Sequence, residues 1–473
     1  MKQRYLSLDF LRGLTIFGMV FSAIIPYGVL PAWMYHIQNP PPTHELDMSV
    51  SGIGWVDLVF PVFIFCMGAA IPLSGRGRIE KGLSMKDYCK GSFERFTMLW
   101  LFSYAYVLLN FNNLPGFWPQ FATILGFLSF FPLYMVFNER IGGRLGKAVP
   151  FVRAAGFMVI VALIVLGHIF FDEQVNVQRR GIIIFLLAFL YLFGSLIWYF
   201  TRDNFKARLA IFGLVFLFTY ITKELDYPAI TYANKSIRWW FNMEYVYFLL
   251  LLLPATYVGD LLYERLNNAS VRESDGRGST TVYSEPTAWY THLLFPSLVL
   301  FVAWLCYAFY MNITVVNMVV SVLFLTPVTL LVYKKLPQYR KFILIADLLL
   351  LGGLVMIWPE EGIKKVPCTI SYCLATCSIS ILLLMVSDYI CRYLNNSPFV
   401  FIFSGAGKNP LISYIAFDSF IVPLMKITGF ISLYRAAYPA GLHAMGVIRA
   451  AVAVLFTMWC VALLSKKRIF WKA

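Results

Sequence analysis

Runs of about 20 mostly apolar residues recur almost from end to end of this chain, the length a helix needs to cross roughly 30 Å of hydrocarbon. Only helices or closed barrels satisfy every backbone polar group inside a bilayer, so the pattern predicts an all-α, polytopic transmembrane bundle. The 473 residues are 60% hydrophobic, 18% aromatic and only 13% charged, outside the range of soluble domains. Expected spans begin with 10–30 and 55–74 and end with 370–390, 399–425 and 443–464, about 12–14 in all.

The formal net charge is +15. Lys and Arg are scattered over many short loops, which argues for membrane topology and against nucleic acid. With the N-terminus in the cytosol, one side collects the cations of 76–95, Arg140, Arg144, Lys147, Arg153, Lys334, Lys335, Arg340, Lys341 and the C-terminal Lys466, Lys467, Arg468 and Lys472. That side holds about 29 of the 39 Lys and Arg, which predicts N-in, C-in orientation and puts loop 31–54 outside.

Lys2 and Arg4 before an apolar run resemble a secretory signal, but Asp9 and Arg12 interrupt the run, so a retained first helix is expected. The polar, small-residue stretch NNASVRESDGRGSTT marks 264–289 as a cytosolic linker between bundles 1–263 and 290–473. Eight Cys show no paired CxxC pattern, and most lie in apolar runs, so neither a disulfide framework nor a zinc site is expected.

Charges within spans are costly and turn toward cavities or partners; Asp9, Arg12, Asp57, Asp347, Asp388, Lys408 and Asp418 are of this kind. Loop 31–54 holds two of the five His, and Pro40, Pro41 and Pro42 stiffen it ahead of His44. Histidine suits general-base work near neutral pH, and Asp57, opening the next helix, is placed to orient an imidazole. His36 is the second candidate. His168, His292 and His443 lack a comparable polar setting. On the other side, SGRGRIEKGLSMKDYCKGSFER combines Gly with six cations and suits phosphate groups; topology and anionic lipid explain the same cations. Gly405, Gly407, Lys408, Asn409 and Pro410 sit at the mouth of a late span, where irregular backbone requires protein or a wet cavity beside it.

SLDFLRG from Ser7, then His44, then WVDLVFPVFIFCMGAAIPLS from Trp55 resemble the heparan-α-glucosaminide N-acetyltransferase family and its bacterial relatives. GKNPLISY resembles that family's late Gly-x-Asn element, and GIKKVPCTISY from Gly362 looks like a segment of its bacterial branch. A related branch of membrane acyltransferases carries its His within the first helix, where Ser22 and Ala23 stand here.

The resemblance implies a membrane-embedded acetyltransferase that takes acetyl-CoA from the cytosol and acetylates an amino sugar or glycan on the periplasmic or luminal side. It also implies a homodimer, and the inner membrane of a bacterium as its location. It assigns catalysis to His44 with Asp57; the spacing between them is longer than the family's, which keeps His36 in view. The acetyl-CoA site is expected at Asp9, Arg12, Arg76, Arg78, Arg95, Lys408 and Asn409, without a metal. A transporter or lipid flippase is the alternative from another class.

Overall fold

The structure is a computed structural model describing residues 5–135, 148–171, 176, 178–225, 241–274 and 289–471. Lys2, Arg4, Arg140, Arg144, Lys147, the 275–288 part of the expected linker and Lys472 lie outside the described residues.

The helices are α1 (Leu6–Ile24), α2 (Trp55–Ile79), α3 (Met85–Leu108), α4 (Phe117–Tyr134), α5 (Val149–Phe171), α6 (Ile182–Thr201), α7 (Phe205–Glu224) and α8 (Leu249–Ser274). They continue with α9 (Trp289–Tyr310), α10 (Thr314–Lys335), α11 (Arg340–Met356), α12 (Ile370–Tyr393), α13 (Pro398–Lys408), α14 (Pro410–Thr428), α15 (Phe430–Ala436) and α16 (His443–Lys466). Among the described residues, eleven helical stretches are long and apolar enough to cross a membrane. The α3 helix with its charged start and the shorter α4 and α11 accompany them outside that count. The protein is an integral membrane helix bundle.

Helix α12 is the axis. Nearly all of it is buried, and its hydroxyls bond within the bundle: Ser378 donates to the Ala346 carbonyl at 2.7 Å, Thr376 to that of Tyr372 at 2.6 Å. It packs against α11, α1, α2, α8 and α9, and the main apolar core draws residues from both sides of the expected linker. Helices α5 and α10 expose most of their apolar surface, as lipid-facing helices do.

Close backbone approach explains two glycines. A Cβ on Gly407 would fall 1.8 Å from the Asp9 carbonyl oxygen, and one on Gly13 1.9 Å from that of Phe403, so α1 and α13 touch backbone to backbone.

Both ends of the bundle are tied. At one, Asp388 accepts from Tyr5 Oη (2.9 Å), Arg265 (3.0 Å) and Tyr339 Oη (3.4 Å), joining the starts of α1 and α11 to the ends of α8 and α12. At the other, Gly52 N–H donates to Ile363 at 2.7 Å and Asn312 to Ser51 at 3.0 Å. Asp347 and Asp418 also have partners, Thr329 at 2.5 Å and Asn112 at 3.0 Å.

Three boundaries differ from the sequence expectation. Helix α8 continues to Ser274, into the expected linker, since small polar residues tolerate helix once an apolar stretch has nucleated it. The expected Gly-rich basic loop is mostly helix, with Arg76 and Arg78 in the last turn of α2 and Lys86, Lys90 and Arg95 on α3. Gly75 serves packing there: a Cβ would meet the Trp198 ring at 2.4 Å. The expected span 399–425 breaks at Asn409, because Pro410 cannot continue the α13 hydrogen bonds, and α14 contains a π turn at Phe417–Ile421.

Candidate active site

Asp57 opens helix α2, and its Oδ2 accepts the backbone N–H of the N-cap residue Gly54 at 3.2 Å, the half of a capping box that the third helical residue supplies. The same oxygen accepts Ile37 N–H at 3.3 Å. One carboxylate oxygen thus fixes both the helix start and the chain that carries His36. The other, Oδ1, lies 2.6 Å from His36 Nδ1 and 3.7 Å from Lys365 Nζ. Lys365 Nζ is also 3.3 Å from His36 Nδ1.

The Asp57 side chain is 4% exposed and that of His36 is 41% exposed. A buried carboxylate therefore anchors a ring that reaches solvent. A carboxylate on Nδ1 selects the Nδ1–H tautomer and leaves Nε2 as the basic nitrogen, the arrangement that orients a general base. Behind the pair, Tyr372 Oη donates to the Asp57 carbonyl at 2.7 Å.

Lys365 arrives on the loop between α11 and α12. Gln38 clasps it to loop 31–54, donating to the Val366 carbonyl at 2.5 Å and accepting Val366 N–H at 2.9 Å. Thr369 and Lys364 close the turn through three hydrogen bonds of 3.0–3.1 Å. Burial holds the Lys365 ammonium below the ordinary lysine range, with Asp57 opposing the shift.

His44 lies apart from this pair. Its backbone sits in the left-handed region at φ 53°, its N–H donates to Pro40, and its ring lies against Tyr27 at 4.1 Å and Tyr35 at 4.7 Å. The side chain is buried, and among the described residues Nε2 has no hydrogen-bond partner. Asp57 is thus paired with His36 and not with His44. His292 and His443 bond tyrosines, Tyr389 and Tyr438, each at 2.8 Å.

The opposite end of α2 lies about 28 Å from Asp57, nineteen residues along the helix. Arg76 there binds Asp260 at 2.6 Å, and Asp260 also takes Arg208 at 2.8 Å and Trp198 Nε1 at 3.3 Å. That network is a buried tie between α2, α6, α7 and α8. Arg78 and Arg95 instead line a cavity of about 260 Å³ with Arg153, Tyr88, Tyr191 and Glu94. Arg95 stacks on Tyr191 at 4.3 Å, and among the described residues its buried Nε has no partner. Three guanidinium groups against one acid suit an anion with several oxygens.

The remaining residues expected at a donor site serve the helix junctions. Arg12 binds Asp9 at 3.1 Å and the carbonyls of Gly407 at 3.2 Å and Cys66 at 3.3 Å, joining α1, α13 and α2. Asn409 donates to Ser465 at 2.9 Å and Ile469 at 2.7 Å and accepts Trp471 N–H at 3.0 Å, which pins the C-terminal segment. Lys408, half-buried in the last turn of α13, belongs to neither cluster.

Lys365, Gln38 and Arg153 were not singled out for chemistry from sequence. GIKKVPCTISY stands out in sequence only as a motif, and nothing in its composition signals that Lys365 meets a residue 329 positions away. Among the described residues no cluster of His, Cys, Asp and Glu is arranged to hold a metal ion.

A comparison with curated proteins returns no match. Residues 4–262, more than half of the chain and reaching from the start of α1 into α8, match the family described as a domain of unknown function, DUF5009, and the protein belongs to that family.

Proposed function

We propose that this protein is a transmembrane acetyltransferase, passing an acetyl group from cytosolic acetyl-CoA to an amino sugar or related glycan on the outer side of a bacterial inner membrane. The observation that carries the proposal is the His36–Asp57 pair at 2.6 Å, with a buried carboxylate and an accessible ring. Its position on the DLVFP helix is where heparan-α-glucosaminide N-acetyltransferases, which this chain resembles, keep their motif Asp.

His36 Nε2 takes the proton of the acceptor amine or hydroxyl as that atom attacks the thioester carbonyl. The C–S bond then breaks and the CoA sulfur leaves with the electron pair. Asp57 holds the resulting imidazolium, and Lys365 steadies the carboxylate between its two partners. A base oriented this way contributes roughly 10²–10⁴-fold. Arg78, Arg95 and Arg153 offer the donor set that the phosphate groups of CoA require, at the end that charge asymmetry assigns to the cytosol. In this proposal the 260 Å³ cavity takes the phosphate-bearing end of CoA, and the pantetheine arm runs toward the opposite face.

His44, which the family resemblance favours, supports a second reading, because its left-handed backbone and an Nε2 without a hydrogen-bond partner among the described residues are features that accumulate at functional sites. In that reading His44 carries the acetyl group and His36 activates the acceptor. Membrane lipid surrounds either arrangement, and a homodimer is part of the proposal. The test is acetyl transfer to a panel of amino sugars by purified wild type, His36→Ala and His44→Ala. Solute movement across liposomes without consumption of acetyl-CoA would replace the enzyme with a transporter.

A further inference from the structure

Cys368 and Cys373 lie with their Sγ atoms 3.4 Å apart, both buried, on the segment that delivers Lys365 to His36 and Asp57. Cys368 immediately precedes Thr369, the N-cap of α12, whose side chain accepts Tyr372 N–H at 3.2 Å; Cys373 is in the first turn of that helix. Cys368 is three residues beyond Lys365, and Val366 between them is held by Gln38. A covalent bond between the two sulfurs would therefore fasten the Lys365 loop to the start of the most buried helix.

We propose that Cys368 and Cys373 form a disulfide in the mature protein, as a clasp on the loop that positions Lys365. The proposal rests on the N-in orientation, which puts this end of the bundle in an oxidising compartment, and does not depend on acyl transfer. In the structure both are thiols, as the other cysteines are. Two thiols lose two protons and two electrons as one S–S bond forms, and the disulfide of an extracytoplasmic thiol oxidase is reduced to two thiols in exchange. Attack begins from a thiolate on that oxidant, and the second cysteine resolves the mixed disulfide.

The order of events follows from burial. Once the loop has docked, neither sulfur is open to a protein oxidant, and burial keeps the Cys368 thiol protonated, well above its ordinary value. The bond therefore forms during membrane insertion, before Gln38 and Val366 close the two loops together. Afterwards it resists reductants until the chain unfolds.

The experiment traps thiols in cells by acid quench and alkylates the denatured chain with N-ethylmaleimide. The chain is then reduced, labelled with a second, heavier maleimide, and its cysteine peptides are weighed. The expected result is the second label on Cys368 and Cys373 and the first label on Cys66, Cys377 and Cys391. In Cys368→Ser the first label should move to Cys373. The first label on both Cys368 and Cys373 in wild type overturns the disulfide. A reporter fused after loop 31–54 is scored in parallel: an outside reporter with free thiols removes the disulfide alone, while a cytosolic reporter removes the orientation as well. As an independent readout, reductant should lower the unfolding midpoint of wild type and leave that of the Cys368→Ser/Cys373→Ser double variant unchanged; equal behaviour of the two also overturns the proposal.

Discussion

His36 Nδ1 and the Asp57 carboxylate meet at 2.6 Å across 21 positions of sequence, because Asp57 also accepts the backbone N–H of the next residue, Ile37. The carboxylate is thus committed to the loop before it can serve the ring. Removing it would release both the imidazole and its supporting backbone, so the two roles need separate tests.

Asp57→Asn keeps the shape of the cap but cannot hold an imidazolium, and the amide can impose the wrong tautomer on His36. The expected loss in acetyl transfer is about 10²–10⁴-fold, comparable to that of His36→Ala. The double variant should be little worse than either single one, since the pair acts as a unit. Losses that multiply in kcat measured with acetyl-CoA and an amino-sugar acceptor would show the two residues acting independently.

Arg78 and Arg76 are two residues apart on α2 yet face different surroundings. Arg78→Ala and Arg95→Ala remove donors from the three-arginine cavity, and each should raise the KM for acetyl-CoA by about 10-fold, as loss of one charge-assisted contact does. Arg76→Ala leaves Asp260, among the described residues, with Arg208 as its cationic partner and should lower the unfolding midpoint in detergent. Its KM should stay near wild type. A rise in KM with unchanged stability would put Arg76 in the donor site.

Hydropathy made the bundle legible, because span length and backbone satisfaction leave few alternatives. The Pro and His content of loop 31–54 likewise marks out in sequence the segment that carries His36 beside Asp57. The partner of Asp57 was not: His44 is nearer in sequence, and the preference for His36 comes from the Ile37 hydrogen bond and from the Tyr27 and Tyr35 rings that hold His44 aside. Lys365 was hidden for a different reason, since a loop lysine carries no periodicity and its role depends on α12 packing beside α2. Asn409 shows the converse. Its motif setting suggests ligand binding, and in the fold its side chain binds Ser465, Ile469 and Trp471, contacts that the motif does not announce.

Gly407 and Gly91 offer a matched pair of glycine substitutions within helices. A methyl group on Gly407 would strike the Asp9 carbonyl, and backbone cannot swing aside as a flexible side chain can. Gly407→Ala should cost about 1–3 kcal/mol or more. Among the described residues nothing lies within 4 Å of a Cβ on Gly91, so Gly91→Ala should stabilise by about 0.4–1 kcal/mol. Unfolding midpoints in detergent decide it: no loss in Gly407→Ala would mean that α1 and α13 are not in backbone contact.

Lys365 makes the stability depend on pH in a direction opposite to that of a typical paired lysine. Burial lowers its folded-state value below 10.5, so between that lowered value and 10.5 the unfolded chain binds more protons than the folded one. Stability contributed by this group therefore rises with pH across that window and levels off above 10.5. Lys365→Met removes the titration, and its unfolding midpoint relative to wild type should fall as pH rises from neutral toward 10.5. Were attraction to Asp57 the larger effect, the folded value would lie above 10.5, and wild type would instead lose its relative stability at still higher pH. The same variant should impair transfer, because His36 and Asp57 would lose the amine nitrogen that sits 3.3 Å from one and 3.7 Å from the other.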